Sequence, residues 1–182
     1  MSKLFVNEIA PKTSGNRIIM PQGGIIQVQY TQFTGTSTPS LSAYTDTVLT
    51  DLTVNITPAS ASSVIHLQAH VFCEFANDIN SYEHMFFFYR DSTKLGRSAS
   101  GNRNVGISMA TRTYSAADDN STPNIARYDY FDTPGTTSTI TYKVGINLQN
   151  ADTLYLNRTV GDVNNTSFEY GISLISATEI AG

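Results

Sequence analysis

Thr137-Ser138-Thr139-Ile140-Thr141-Tyr142-Lys143-Val144-Gly145-Ile146-Asn147-Leu148-Gln149 alternates between apolar and polar residues along most of its length. Ile140, Tyr142, Val144, Ile146 and Leu148 fall on one side, and Thr139, Thr141, Lys143, Gly145 and Asn147 on the other. A period of two marks a half-buried β-strand, because successive side chains leave opposite faces of the pleat. Ser63 to Phe75 repeats the pattern: Ile65, Leu67, Ala69, Val71, Cys73 and Phe75 share a face opposite His66, Gln68, His70, Phe72 and Glu74. Leu52 to Thr57 alternates in the same way. Ile25 to Phe33, Thr153 to Val160 and Ser167 to Ile175 read as further strands, with shorter candidates at Val105 to Thr111 and Ile125 to Phe131.

Turn formers separate these runs, among them Pro39, Pro58, Asn77-Asp78, Gly101-Asn102, Pro134-Gly135 and Gly161-Asp162. The spacing predicts roughly eight to ten short strands, the pattern of a sandwich or a barrel. Composition agrees. The chain holds 23 Thr, 19 Ser and 14 Asn; Thr favours strands, and Ser and Asn favour turns. No helical period of useful length and no fixed repeat emerges. The expected class is all-β, with polar outer faces.

Length and charge bound the function. A chain of 182 residues suits one domain, or one domain plus an arm, and buries a full core without disulfides or metals. A net charge of −4 with 14% charged residues argues against a basic nucleic-acid surface. A single cysteine, Cys73, excludes a disulfide framework, and its place on an apolar face makes it a small buried hydrophobe. Apolar runs are too short to span a bilayer as a helix, and Asn7-Glu8 interrupts any leader core after Leu4-Phe5-Val6.

Residues 1–24 behave differently from residues 25–182. Two short apolar clusters, Leu4-Phe5-Val6 with Ile9 and Ile18-Ile19-Met20, flank Pro11 and Gly15, and Pro21-Gln22-Gly23-Gly24 follows as a hinge. Such an arm cannot build its own core. Its apolar clusters need the surface of a partner or of the domain itself. A second anomaly is Met85-Phe86-Phe87-Phe88-Tyr89, apolar on both faces. A strand covered on both sides lies under a long loop or at a subunit interface. The interface is the expectation, because so polar a surface offers few other places for three consecutive Phe.

Catalysis finds little support. Gly106-Ile107-Ser108 and Gly171-Ile172-Ser173 touch the Gly-x-Ser pattern without completing a nucleophile elbow. Asp118-Asp119-Asn120 lacks the spacing of a calcium loop. His66 and His70 share a strand face, about 13 Å apart at strand rise, too far to hold one ion within a chain. His66, His70 or His84 could meet a metal only around a symmetry axis. No cofactor is expected. Sequons at Asn55, Asn120, Asn157, Asn164 and Asn165 arise by chance in a chain of this composition. The candidate binding elements are the long loops, which carry Arg97, Arg103, Arg112 and Asn120, and the pair Tyr128 and Tyr130, which would suit a sugar if exposed.

Several pieces of the sequence resemble tail-fibre proteins of tailed bacteriophages, especially those of marine bacteria and cyanobacteria. The arm Ser2-Lys3-Leu4-Phe5-Val6-Asn7-Glu8-Ile9 through Ile18-Ile19 is similar to a segment that precedes their C-terminal head. Tyr44-Thr45-Asp46-Thr47, Leu52-Thr53-Val54-Asn55-Ile56-Thr57-Pro58-Ala59-Ser60-Ala61-Ser62-Ser63 and the ending Ile175-Ser176-Ala177-Thr178-Glu179-Ile180-Ala181-Gly182 resemble the head. The resemblance implies a jelly-roll-like antiparallel β-sandwich, akin to tumour-necrosis-factor heads, assembled as a homotrimer on a virion. Met85 to Tyr89 would then be the trimer interface, and Leu4, Phe5, Val6, Ile9, Ile18, Ile19 and Met20 the arm that docks on other virion proteins. Fibres of that type carry a shaft upstream of the arm. The present order reads either as a very short fibre that binds host glycan or as a capsid decoration protein. An enzyme acting on surface polysaccharide is the remaining alternative, without paired carboxylates to support it.

Overall fold

The computed structural model describes residues 21–77, 83–99, 101–112 and 120–182, with the side chain of Arg112 left aside. The arm residues Leu4 to Met20, together with Tyr82, Asp118 and Asp119, lie outside them. The described chain is all-β. Its strands are β1 (Ile25–Phe33), β2 (Ser40–Leu41), β3 (Thr47–Ile56), β4 (Val64–Phe75), β5 (His84–Arg90), β6 (Thr93–Lys94), β7 (Thr111–Arg112), β8 (Asn124–Asp132), β9 (Ile140–Leu148), β10 (Asp152–Leu156) and β11 (Ser173–Ile180).

Two antiparallel sheets form a sandwich. In the larger, β4 is central: β8 lines one edge, and β11 and β10 share the other, with β1 beyond β11, β2 beyond β10 and β7 beyond β8. The smaller sheet has the order β3-β9-β5-β6. The long strands β1, β3, β4, β5, β8, β9 and β11 alternate between the sheets, so each connection from one long strand to the next passes from sheet to sheet.

The apolar alternation of β4 and β9 is the inner lining. Ile65, Leu67, Val71 and Cys73 face Tyr142, Val144, Ile146 and Leu148 across the sandwich, all of them fully buried. Burial pushes the Cys73 thiol pKa up, and the neighbouring Glu74 carboxylate adds to the rise, consistent with an inert apolar group.

Register defines two ends. Ile25, Ile180, Val64, Asp132, Ile56 and Ile140 are neighbours in their ladders and mark the lower pole. The strand ends at Phe33, Thr47, Phe75, His84, Leu148 and Asp152 mark the upper pole. At the lower pole Arg90 Nη1 donates to the Asp132 carboxylate at 2.9 and 3.1 Å, and the Tyr142 hydroxyl donates to it at 2.7 Å, linking the sheets.

Three expectations are corrected. The strand expected at Ser167 to Ile175 lies later, at β11; Tyr170 makes only an isolated bridge with Arg158. The strand expected at Val105 to Thr111 reduces to a bridge between Ser108 and Phe86, then the short β7. Pro21 to Gly24 is not a free hinge. The Gly23 amide donates to Ala181 O and the Ala181 amide to Gly24 O, both at 2.8 Å, so the turn is tied to the end of β11. Gly23 has a φ of +82°, a conformation glycine adopts without a steric penalty.

Candidate functional site

The strand β5 is covered on both faces, as its composition demands, but by its own chain. Phe86 and Phe88 face the core; Phe87 faces outward, and all three are fully buried. Phe87 sits opposite Gly145 of β9, where a Cβ would come within 2.3 Å of its ring. Lys94 Nζ lies 3.8 Å above the Phe87 centroid, and the Tyr89 ring packs on it edge-on at 5.4 Å. The loop that follows β6 closes the edge, with the Ile107 amide donating to Phe86 O at 2.8 Å. Phe86, Phe87 and Phe88 therefore have no surface to offer another subunit, and only Met85 and Tyr89 of the expected interface are partly exposed.

The aromatic pair on β8 is also corrected. Tyr128 and Tyr130 share the inward face. Tyr128 is buried against Phe88, with ring centroids 4.7 Å apart, and donates its hydroxyl to Phe87 O at 3.3 Å. Tyr130 packs on the same core. The strand contributes Phe131 to the surface instead, stacked on His66 at 4.3 Å and 56% exposed.

Tyr44 is the feature that sequence reasoning missed. It is 74% exposed, in the turn between β2 and β3. Its φ is +54°, whereas the other non-glycine residues with positive φ among the described residues are Asp91, Asn120 and Asn157. Asp and Asn tolerate this region; for a bulky side chain it costs on the order of 1–3 kcal/mol. The strain is held by the Tyr44 amide, which donates to Leu148 O at 2.7 Å. Beside the ring lies a depression of about 330 Å³ lined by Lys94, Arg103, Asn104, Asn147 and Gln149. Asp46 organises it from below. Its carboxylate accepts from Lys94 Nζ at 2.9 Å, from Asn147 Nδ2 at 2.7 Å and from the Tyr89 hydroxyl at 3.4 Å. Burial and Asp46 together raise the Tyr89 pKa, keeping that hydroxyl a donor. Asn104 Nδ2 donates to Asn147 O at 3.2 Å, fixing the loop over the site. Of the sequence candidates, Arg103 lies at this depression. Arg97 is exposed on the same loop, and Asn120 is exposed in a separate turn.

In comparisons with known proteins, no family model and no curated protein matches this chain.

The outer face of the larger sheet is a second surface. Ile26, Val28, Tyr30 and Phe131 are exposed there, with Val28 at 51% and Tyr30 at 70%. Further along the same face, in the row of Gln32 and Leu174, His70 and Arg127 line a shallow depression of about 350 Å³. Arg127 Nε donates to His70 Nδ1 at 3.0 Å, and burial together with the Arg127 charge lowers the His70 pKa. His66 comes 3.5 Å from the Asp129 carboxylate. His84 is elsewhere, buried between Phe75 and Phe86 with Nε2 accepting the Ala110 amide at 2.7 Å. Among the described residues no group of three His, Cys, Asp or Glu is gathered as a metal centre. The Asn157 sequon is closed to a glycan: its amide donates to Phe33 O and Gly35 O and accepts from the Ser173 hydroxyl, all inside the fold.

Proposed function

We propose that this chain is a structural protein of a bacteriophage particle. It acts as a short tail-fibre or adhesin head that binds the host surface and docks by its N-terminal arm. The observation that carries the reading is a division of labour between the poles. The chain enters β1 at the lower pole, where two of the pieces resembling phage heads, Thr57 to Ser63 and Glu179 to Gly182, come together; the third, Tyr44 to Thr47, lies at the upper pole. The strained Tyr44 and its depression belong to the turn at the other pole. The alternation of strands between sheets supports a jelly-roll-like head of the tumour-necrosis-factor type.

Gold labelling of intact virions with an antibody against residues 25–182 tests the location. Label at the tail tip is the expected result. Label spread over the capsid would replace the adhesin with a decoration protein, and unlabelled particles would overturn the virion assignment.

Homotrimer formation, which the resemblance implies, would use the outer face of the larger sheet, since β5 is covered. Val28 and Tyr30 on the edge strand β1, with Phe131 on the same face beyond Thr178 and His66, are exposed apolar side chains of the kind that copies of a chain bury on assembly. Light scattering of the purified protein at micromolar concentration is expected to give the trimer mass, and Val28→Lys the monomer mass. A wild-type monomer, or a Val28→Lys trimer, would refute this interface.

A further inference from the structure

We propose that the depression beside Tyr44 is a saccharide-binding site that takes a neutral pyranose unit on the Tyr44 ring. The proposal deepens the reading of the chain as a host-binding head and gives that head a specific contact surface. Three observations carry it.

The first is strain. A tyrosine in the left-handed region has no conformational justification, since Asn or Gly would hold the same turn more comfortably. Among the described residues its side chain makes no ring–ring contact, no ring–cation contact and no hydrogen bond, and it remains 74% exposed. Strain retained without packing in return points to a contact outside the chain.

The second is chemistry. A flat exposed aromatic ring offers an apolar platform for the C–H face of a sugar, and the amides of Asn104, Asn147 and Gln149 surround it with groups that both donate and accept. Hydroxyl-rich ligands need that mixture.

The third is preorganisation. Asn147 is nearly buried, and its amide nitrogen is already committed to Asp46 at 2.7 Å, so its side-chain oxygen has a set direction. Lys94 is matched by Asp46 at 2.9 Å and held over Phe87. The ion pair balances the Lys94 charge, so the groups offered beside the ring by Asn104, Asn147 and Gln149 are neutral amides, the natural partners of sugar hydroxyls.

The test uses the full chain on a panel of neutral hexose, N-acetylhexosamine and deoxyhexose oligosaccharides, with hexuronate oligosaccharides included. Wild type, Tyr44→Asn and Phe131→Ala are compared by retention and by thermal melting. Tyr44→Asn removes the ring and suits the positive φ. It is expected to melt no lower than wild type and to bind neutral saccharides at least about tenfold more weakly. Phe131→Ala, on the other sheet, is expected to bind as wild type does. Retention of no saccharide, or of hexuronates alone, overturns the proposal. Equal binding by Tyr44→Asn also overturns it. In that last case the host-binding reading survives with its contact elsewhere, whereas the virion labelling fails only if the broader reading is wrong. Loss of melting temperature in Tyr44→Asn would make Tyr44 a structural residue and refute the strain argument.

Discussion

Phe87→Ala is expected to destabilise the isolated chain by about 3–5 kcal/mol, as removal of a fully buried Phe does. For a chain of this size that lowers the melting temperature by roughly 10 °C. The size follows from the surroundings: the ring fills the space above Gly145, under Lys94 and against Tyr89. Differential scanning calorimetry on monomeric protein measures it. If Phe87 were an interface residue, the monomer would melt unchanged and only the assembly would weaken. Gly145→Ala gives the complementary result. Its Cβ would meet the Phe87 ring at 2.3 Å, and overpacking of this kind costs about 1–3 kcal/mol. In the Phe87→Ala background the same methyl has room, so the double variant is expected to be more stable than the two single costs predict. Simple additivity would mean that ring and glycine do not share the site.

Glu179→Ala carries the second large effect, about 3–5 kcal/mol, because one buried and two half-buried donors lose a charged acceptor together. Glu179 is fully buried. It accepts from the Ala59 amide, the Ser63 hydroxyl and the Gln27 amide, each at 2.6 Å. Burial alone pushes its pKa up. The hydrogen bonds from Ser63, Gln27 and the Ala59 amide outweigh that and hold it below the usual glutamate value. The sign follows directly: a carboxyl with a lowered folded pKa contributes stability above its ordinary pKa of 4.5, and loses it as pH falls through that value toward the folded one. The stability gap between wild type and Glu179→Gln is therefore expected to narrow between neutral pH and pH about 3. A gap that does not change with pH would show that the carboxylate charge is not what the three donors require.

These two residues also show what was legible in the sequence. The alternation in Ile140 to Leu148 and Val64 to Phe75 locates β9 and β4 almost to the residue, because each has one face in the core and one outside. It fails at the start of β3, where the register shifts between Leu49 and Thr53 and the period of two is interrupted. It misleads at Phe168, Tyr170 and Ile172, whose apolar alternation belongs to a loop packed on Phe72 and Gly161. The cover over Phe87 was invisible because it depends on a missing side chain, Gly145, 58 positions away in the chain and paired with it only by register. Tyr128 and Tyr130 could not be separated from an exposed pair by sequence, since a tyrosine fits either face of a strand. Glu179 did leave a signal: it is the one charge in the inward series Ser173, Ile175, Ala177, Glu179. Tyr44 left none beyond a turn-forming neighbourhood, because its oddity lies in φ rather than in residue type.

The tie between Gly23, Gly24 and Ala181 has a mechanical consequence. A head anchored through its N-terminal side and held by a ligand near Tyr44, as proposed above, would be pulled along its strands, from the lower pole to the upper. The load enters at the start of β1 and meets the antiparallel ladder that runs from Ile25 opposite Ile180 to Phe33 opposite Ser173. Force parallel to the strands shears these hydrogen bonds, so that many must break at once. Force across the strands would peel them one at a time. The edge strand is thus placed to resist traction, and a tether at the other end of β1 would open the same sheet like a zip.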